Sequence, residues 1–141
     1  MSEVDGSSKE SVVRGNISIL LDQNKFDEIG ALPGFEIIER ADPNSDNNLD
    51  CYMWTLKSEG GSVYTRLKKF SGEHHLVHNP LQGDIVTYFS EGKMTHMGRL
   101  NEEGRVRSKF GKGHVYEHPI GDVPDYYLDK ENDIRFYRKN I

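Results

Sequence analysis

The sequence predicts an α+β domain, with helices first and an antiparallel sheet after them. Three observations carry this. The first third, "SVVRGNISILLDQNKFDEIG", spaces its apolar residues as a helix does. The second half holds short β-branched and aromatic runs, "DIVTYF", "THMGRL", "RVRSKF", "HVYEH" and "IRFYRK". Between two of these runs, "NEEG" is a hairpin signal.

The elements follow in order. Residues 1–10 read as a flexible tail and residues 11–141 as one domain, a division that suits a chain of 141 residues. One or two short helices come next, with Val12, Ile17, Leu20 and Leu21 on the apolar side. "LPGFEIIER" gives a turn and a short strand, and "ADPNSDNN" a loop, since Asp, Pro, Asn and Ser favour turns and caps. "DCYMWTLKS" reads as a short helix, with Asn47, Asn48 or Asp50 as N-cap and Gly60-Gly61 as its stop. "SVYTRLKKF" fits strand or helix, and "SGEHHLVHNPLQG" reads mostly as connection.

The hairpin fixes a register. Gly104 suits the left-handed position of the loop Glu102-Glu103-Gly104. Asn101 then opposes Arg105, and Gly98 opposes Ser108. His96, Leu100, Val106, Ser108 and Phe110 share one face, turned to the interior. Arg99, Arg105, Arg107 and Lys109 take the other, solvated face. His96 and Ser108 become diagonal neighbours, roughly 7–8 Å apart at the backbone.

Composition narrows the function classes. The net charge is -5, which argues against nucleic acid as a partner. One cysteine forms no internal disulfide and no cysteine-rich zinc site. The acidic, Ser/Gly-rich start does not read as a secretory signal, and no apolar run reaches membrane-spanning length. The cytoplasm is the default location, with signal-free export as the alternative. No cofactor is expected, and the sequence sets no oligomeric state.

The chemistry centres on Cys51 in "NNLDCYMWTL". A thiolate is favoured at a helix start, where backbone N–H groups face it, and a nearby histidine can take its proton. A third polar group then orients the imidazole. Cys51, His96 and Ser108 meet this demand in chain order. The bland alternative is a buried thiol and a satisfied core histidine. "EHHLVH" places His74 and His78 at i, i+4, a metal pair if helical. It lacks the internal Glu of the metalloprotease motif, and a histidine-rich loop is the simpler reading.

"LDCYMW", "QGDIVTYFSEGKMTHMGRL" and "GRVRSK" together resemble the NlpC-type branch of the papain-like cysteine peptidases and amidases. The matches are Asp50-Cys51, Gly83-Asp84-Ile85-Val86 and His96-Met97-Gly98, and they cover the chain from about Leu32 onward. The layout is also similar to a group of uncharacterised bacterial proteins that share the "SKFG" stretch and a later "EH". The resemblance implies a papain-like fold, with Cys51 at a helix N-terminus packed on the sheet. It implies Cys51 as nucleophile, His96 as base and Ser108 as third residue, with His118, Glu117 or His114 able to stand in for Ser108. Tyr52, Trp54 and His75 would line the substrate site. The expected activity is a cysteine hydrolase or acyltransferase on a peptide or other amide-containing substrate. The alternative is a degenerate interaction protein on the same scaffold, for instance one paired with a bacterial toxin system. Two departures stand out. Tyr52-Met53 replaces the family's Ser-Gly after the cysteine, and Ser108 stands where the family has His, Asn or Gln.

Overall fold

The computed structural model describes residues 9–41, 51–56, 62–128 and 133–141. Its core element is a seven-stranded antiparallel sheet in the order β1-β6-β5-β4-β3-β7-β2. The strands are β1 (Glu36–Glu39), β2 (His74–Val77), β3 (Ile85–Ser90), β4 (Lys93–Leu100), β5 (Val106–Lys109), β6 (Val115–His118) and β7 (Asp133–Lys139). The helices are α1 (Lys9–Asp22), α2 (Phe26–Gly30), α3 (Cys51–Thr55) and α4 (Val63–Glu73), and a 3-10 turn covers Asp125–Tyr127. Mixed helix and antiparallel sheet is the α+β class that the sequence implies. Residues 1–8 of the expected 1–10 tail, the N-cap candidates Asn47, Asn48 and Asp50, and the stop Gly60-Gly61 lie outside the described residues, while Lys9 and Glu10 belong to α1.

Both faces of the sheet are covered. Because side chains alternate along a strand, Val86, Tyr88, Leu100, Val106 and Tyr116 point one way and pack with Ile17 of α1, Ile29 of α2, Val123 and Leu128. Ile85 and Met97 point the other way and pack with Leu56, just past α3, and Phe70 of α4. The sheet is thus the middle layer, and each helix pair buries its apolar stripe against a different side of it.

Turn chemistry sets the strand registers. The β3–β4 hairpin turns on Glu91-Gly92, both at positive φ (54° and 78°), the geometry of a type I′ turn. The β4–β5 hairpin has the register that Gly104 predicts. Arg99 faces Arg107, Leu100 faces Val106, and Gly104 takes φ 76°. The Asn101 N–H donates to the Arg105 carbonyl at 2.8 Å, and the Asn101 side-chain oxygen accepts from the Glu103 and Arg105 N–H groups.

Several expectations are corrected. "HHLV" is not connection but β2, an edge strand paired with β7 in the register His75–Arg138 and Leu76–Tyr137. Of the two states that fit "SVYTRLKKF", the chain takes the helix, with the Ser62 hydroxyl capping the Thr65 N–H at 3.2 Å. Val12 is 52% exposed, off the packed side of α1, because Arg14, Ile17 and Ser18 are the buried residues there. Lys109 is buried rather than solvated, and its Nζ donates to the Gly113 carbonyl at 2.6 Å.

Candidate functional site

Cys51 is the first described residue of α3 and is buried. α3 is tied to the Met97 side of β4. The Thr55 hydroxyl contacts the Met97 carbonyl at 3.3 Å, the Tyr52 hydroxyl donates to the Met94 carbonyl at 3.2 Å, and Arg99 donates to the Thr55 carbonyl at 3.1 Å. Trp54 is buried as well, and its indole N–H donates to Glu39 of β1 at 3.1 Å. Tyr52 and Trp54 therefore brace α3 on the sheet rather than line an open cleft.

His96 faces the opposite side. It pairs with Tyr88 across β3–β4 and lies among the aromatic rings of the α1–α2 face. Tyr127 stacks flat on its ring at 4.3 Å and 7°, and Phe110 meets it edge-on at 5.6 Å. Strand alternation thus corrects the expected Cys51–His96 pairing, because the helix that carries the thiol packs on the face that Met97 presents. Among the described residues, the buried side-chain nitrogens and oxygens without a hydrogen-bond partner are both on His96, its Nδ1 and Nε2. Burial holds its pKa well below the ordinary histidine value, and the nearby His118 adds to this, so the ring is neutral.

Ser108 does not orient His96 either. It is fully buried and bonds His118 Nε2 at 2.7 Å. His118 Nδ1 sits 2.7 Å from the Pro119 carbonyl. A carbonyl only accepts, so Nδ1 carries the proton and Nε2 accepts from the Ser108 hydroxyl. Burial pushes the His118 pKa down to about 4. The "EH" strand does fold back beside the hairpin as β6, pairing Val106 with His118 and Ser108 with Tyr116. It forms a closed Ser108–His118 pair, not a third member for a Cys51–His96 dyad.

Glu117, His114 and His75 serve the framework. Glu117 turns to the α3 side, where it accepts from Asn101 (2.8 Å), Arg107 (3.0 Å) and Arg105 (3.2 Å). Burial alone would raise its carboxyl; these three donors outweigh it and hold the pKa below the usual value. His114 takes the Ala41 N–H on Nδ1 at 2.8 Å and faces the Asp27 carboxylate through Nε2 at 2.7 Å. It pins the end of β1 to α2. His75 lies on the exposed edge strand, 2.7 Å from the Asn140 side-chain oxygen. His74 and His78 lie on and just past a strand, where four residues span roughly 13 Å, so the helical premise of a metal pair fails. Among the described residues no group of three His, Cys, Asp or Glu could hold a metal.

One polar cluster has no signal in the sequence. Asp84 is buried, caps the Leu81 N–H at 2.7 Å and takes a two-pronged contact from Arg138 at 2.9 and 2.8 Å. The Arg138 guanidinium holds the Asp84 carboxyl below its ordinary pKa. Gly83 before it takes φ 92° with open space around it, as a turn into β3 requires.

Among the described residues, no helix is long and apolar enough to cross a membrane. Comparison with protein-family models, with curated proteins and with solved structures found no match.

Proposed function

We propose that the chain is a papain-like scaffold of NlpC type that has lost the thiol dyad and acts by binding a protein partner. One observation carries this reading. His96, the residue that should activate Cys51, lies on the face of the sheet opposite α3, and its two ring nitrogens have no hydrogen-bond partner. From there the imidazole cannot take the thiol proton, which removes the base that a thiol nucleophile needs. The layout of the resemblance supports the scaffold itself: a helix opening on Cys51, a Gly-Asp turn into β3, His96 on β4 and Ser108 on β5. A component of a toxin system is one class of partner that suits a degenerate member.

A cysteine hydrolase or acyltransferase is the second reading, favoured by Cys51 opening α3 in the chain order that the resemblance requires. There the Cys51 thiolate would attack an amide carbonyl, with the Cys51 N–H holding the oxyanion and His96 passing the proton to the leaving amine. The discriminating experiment is alkylation of the folded protein at neutral pH. The scaffold reading expects Cys51 to react only after unfolding. Selective labelling of the native chain, lost in His96→Ala, would establish the hydrolase reading instead.

A further inference from the structure

His96 is an expensive residue where it stands. A buried polar group without a hydrogen-bond partner loses its solvation without compensation. A leucine or phenylalanine would fill the same aromatic niche without that penalty. What covers the ring is the segment 119–128, which crosses the α1–α2 face as a strap. Polar contacts pin it along its length. The Tyr88 hydroxyl donates to the Ile120 carbonyl at 2.6 Å, and the Thr95 hydroxyl donates to the Tyr127 carbonyl. Ser18 of α1 donates to the Asp125 carboxylate at 2.6 Å and accepts the Asp125 N–H at 2.8 Å. Packing completes the attachment: Tyr127 lies flat on His96, with Val123 and Leu128 in the core.

We propose that the strap 119–128 is an acid-released latch with His96 beneath Tyr127 as its trigger. A proton on either nitrogen of the covered ring would have no acceptor, so the closed state rejects it. Lifting the strap lets water reach the ring, which then binds the proton as an ordinary histidine does. Acid therefore draws the population towards the open state. The surroundings do not offset this. From β3 the ring meets Tyr88, whose hydroxyl is raised in pKa by burial and, second, by Asp122 of the strap. From β5 it meets Phe110, from the 3-10 turn Tyr127, and from β6 it feels His118, a second base of the same charge sign. His118 in turn feels Arg105 and Glu117 in opposite senses. No carboxylate acts on His96 among the described residues. Opening would uncover the aromatic rings of Tyr88 and Phe110 beside His96. This holds whether or not Cys51 is reactive.

The magnitude follows from linkage. With an open-state pKa of 6.5 and no proton uptake when closed, the open population at pH 5 rises about 30-fold over its value above neutrality. Hydrogen–deuterium exchange of the full chain reads this directly. Between pH 7.5 and pH 5, protection factors of the Asp125 and Tyr127 amides should fall tenfold or more. In His96→Phe, which keeps an aromatic ring under Tyr127, the strap's response should fall below fivefold. A strap that does not respond in the wild type, or a fivefold or larger response kept in His96→Phe, would overturn the proposal. Should His96→Phe not fold, NMR titration of His96 in the wild type decides: an ordinary pKa with the strap amides still protected contradicts the latch, and a depressed pKa with acid-weakened strap protection supports it.

Discussion

His96 and Met97, consecutive on β4, face opposite sides of the sheet, and α3 packs on the side that Met97 presents. That relationship separates the thiol from the imidazole that the sequence pairs with it. It also leaves His96 among aromatic rings, where its neutral form is enforced by burial. The polar groups of the sheet then serve architecture: Ser108 with His118, Glu117 with three donors, Asp84 with Arg138.

The Ser108–His118 pair should be a stability element. Ser108→Ala removes the donor to His118 Nε2 and leaves that nitrogen buried and unpaired. The expected cost is about 1–3 kcal/mol in urea denaturation. A change below about 0.5 kcal/mol would mean that the 2.7 Å contact carries no net stability.

His118 sets a second, global response to acid. Its folded pKa is pushed down to about 4 from 6.5. Above pH 6.5 it is neutral in both states and contributes no pH dependence. Below 6.5 the unfolded chain takes up a proton that the folded chain refuses, so stability falls until pH reaches about 4 and then levels. The shift corresponds to about 3 kcal/mol. His118→Gln should lower the slope through this window by about half in denaturation curves taken from pH 7.5 to 4.5, the rest coming from His96. An unchanged slope would contradict the assignment.

Gly98 is closed to any larger residue. A Cβ there would lie 2.6 Å from Val106 Cγ1, 2.8 Å from Ser108 Cβ and 2.9 Å from the Arg107 carbonyl oxygen. One of these is backbone and cannot swing away. Gly98→Ala should cost about 1–3 kcal/mol despite the alanine's better strand propensity. Equal or greater stability would show that β4 and β5 lie farther apart than this register requires.

The Asp84–Arg138 contact should break asymmetrically. Asp84→Asn leaves a half-exposed guanidinium that water can solvate, at a cost of about 2 kcal/mol. Arg138→Met leaves a buried carboxylate with the Leu81 N–H, and should cost more. Thermal melts of the two variants at pH 7 test the order, and the reverse order would contradict it. Because the Asp84 pKa is lowered in the fold, its contribution is present above pH 3.8 and is lost as pH falls below that value.

Local chemistry explains what is legible in the sequence. Gly104, Asn101 and the alternation of β4 and β5 set the hairpin, and hence that His96, Ser108 and Phe110 point inward. Which helix covers that face is not legible. It depends on the path between β1 and α3, and a loop such as "ADPNSDNN" carries no information about the side on which it emerges. β2 is hidden because "HHLV" has no strand pattern of its own; its state comes from pairing with β7, distant in sequence. Hydrophobicity alone points to Val12 on the packed stripe of α1, whereas buried Arg14 and Ser18 phase that helix differently. Asp84 and Arg138 are 54 residues apart, and neither has a local cue to the other.

The most direct test of the central claim is the rate at which iodoacetamide alkylates Cys51 in the native wild type and in His96→Ala at pH 7. With the imidazole on the opposite face, native Cys51 should react far more slowly than in the unfolded chain, and His96→Ala should not slow it further. Fast, selective labelling of the native wild type, with that rate lost in His96→Ala, would place the two groups in one site and contradict the account.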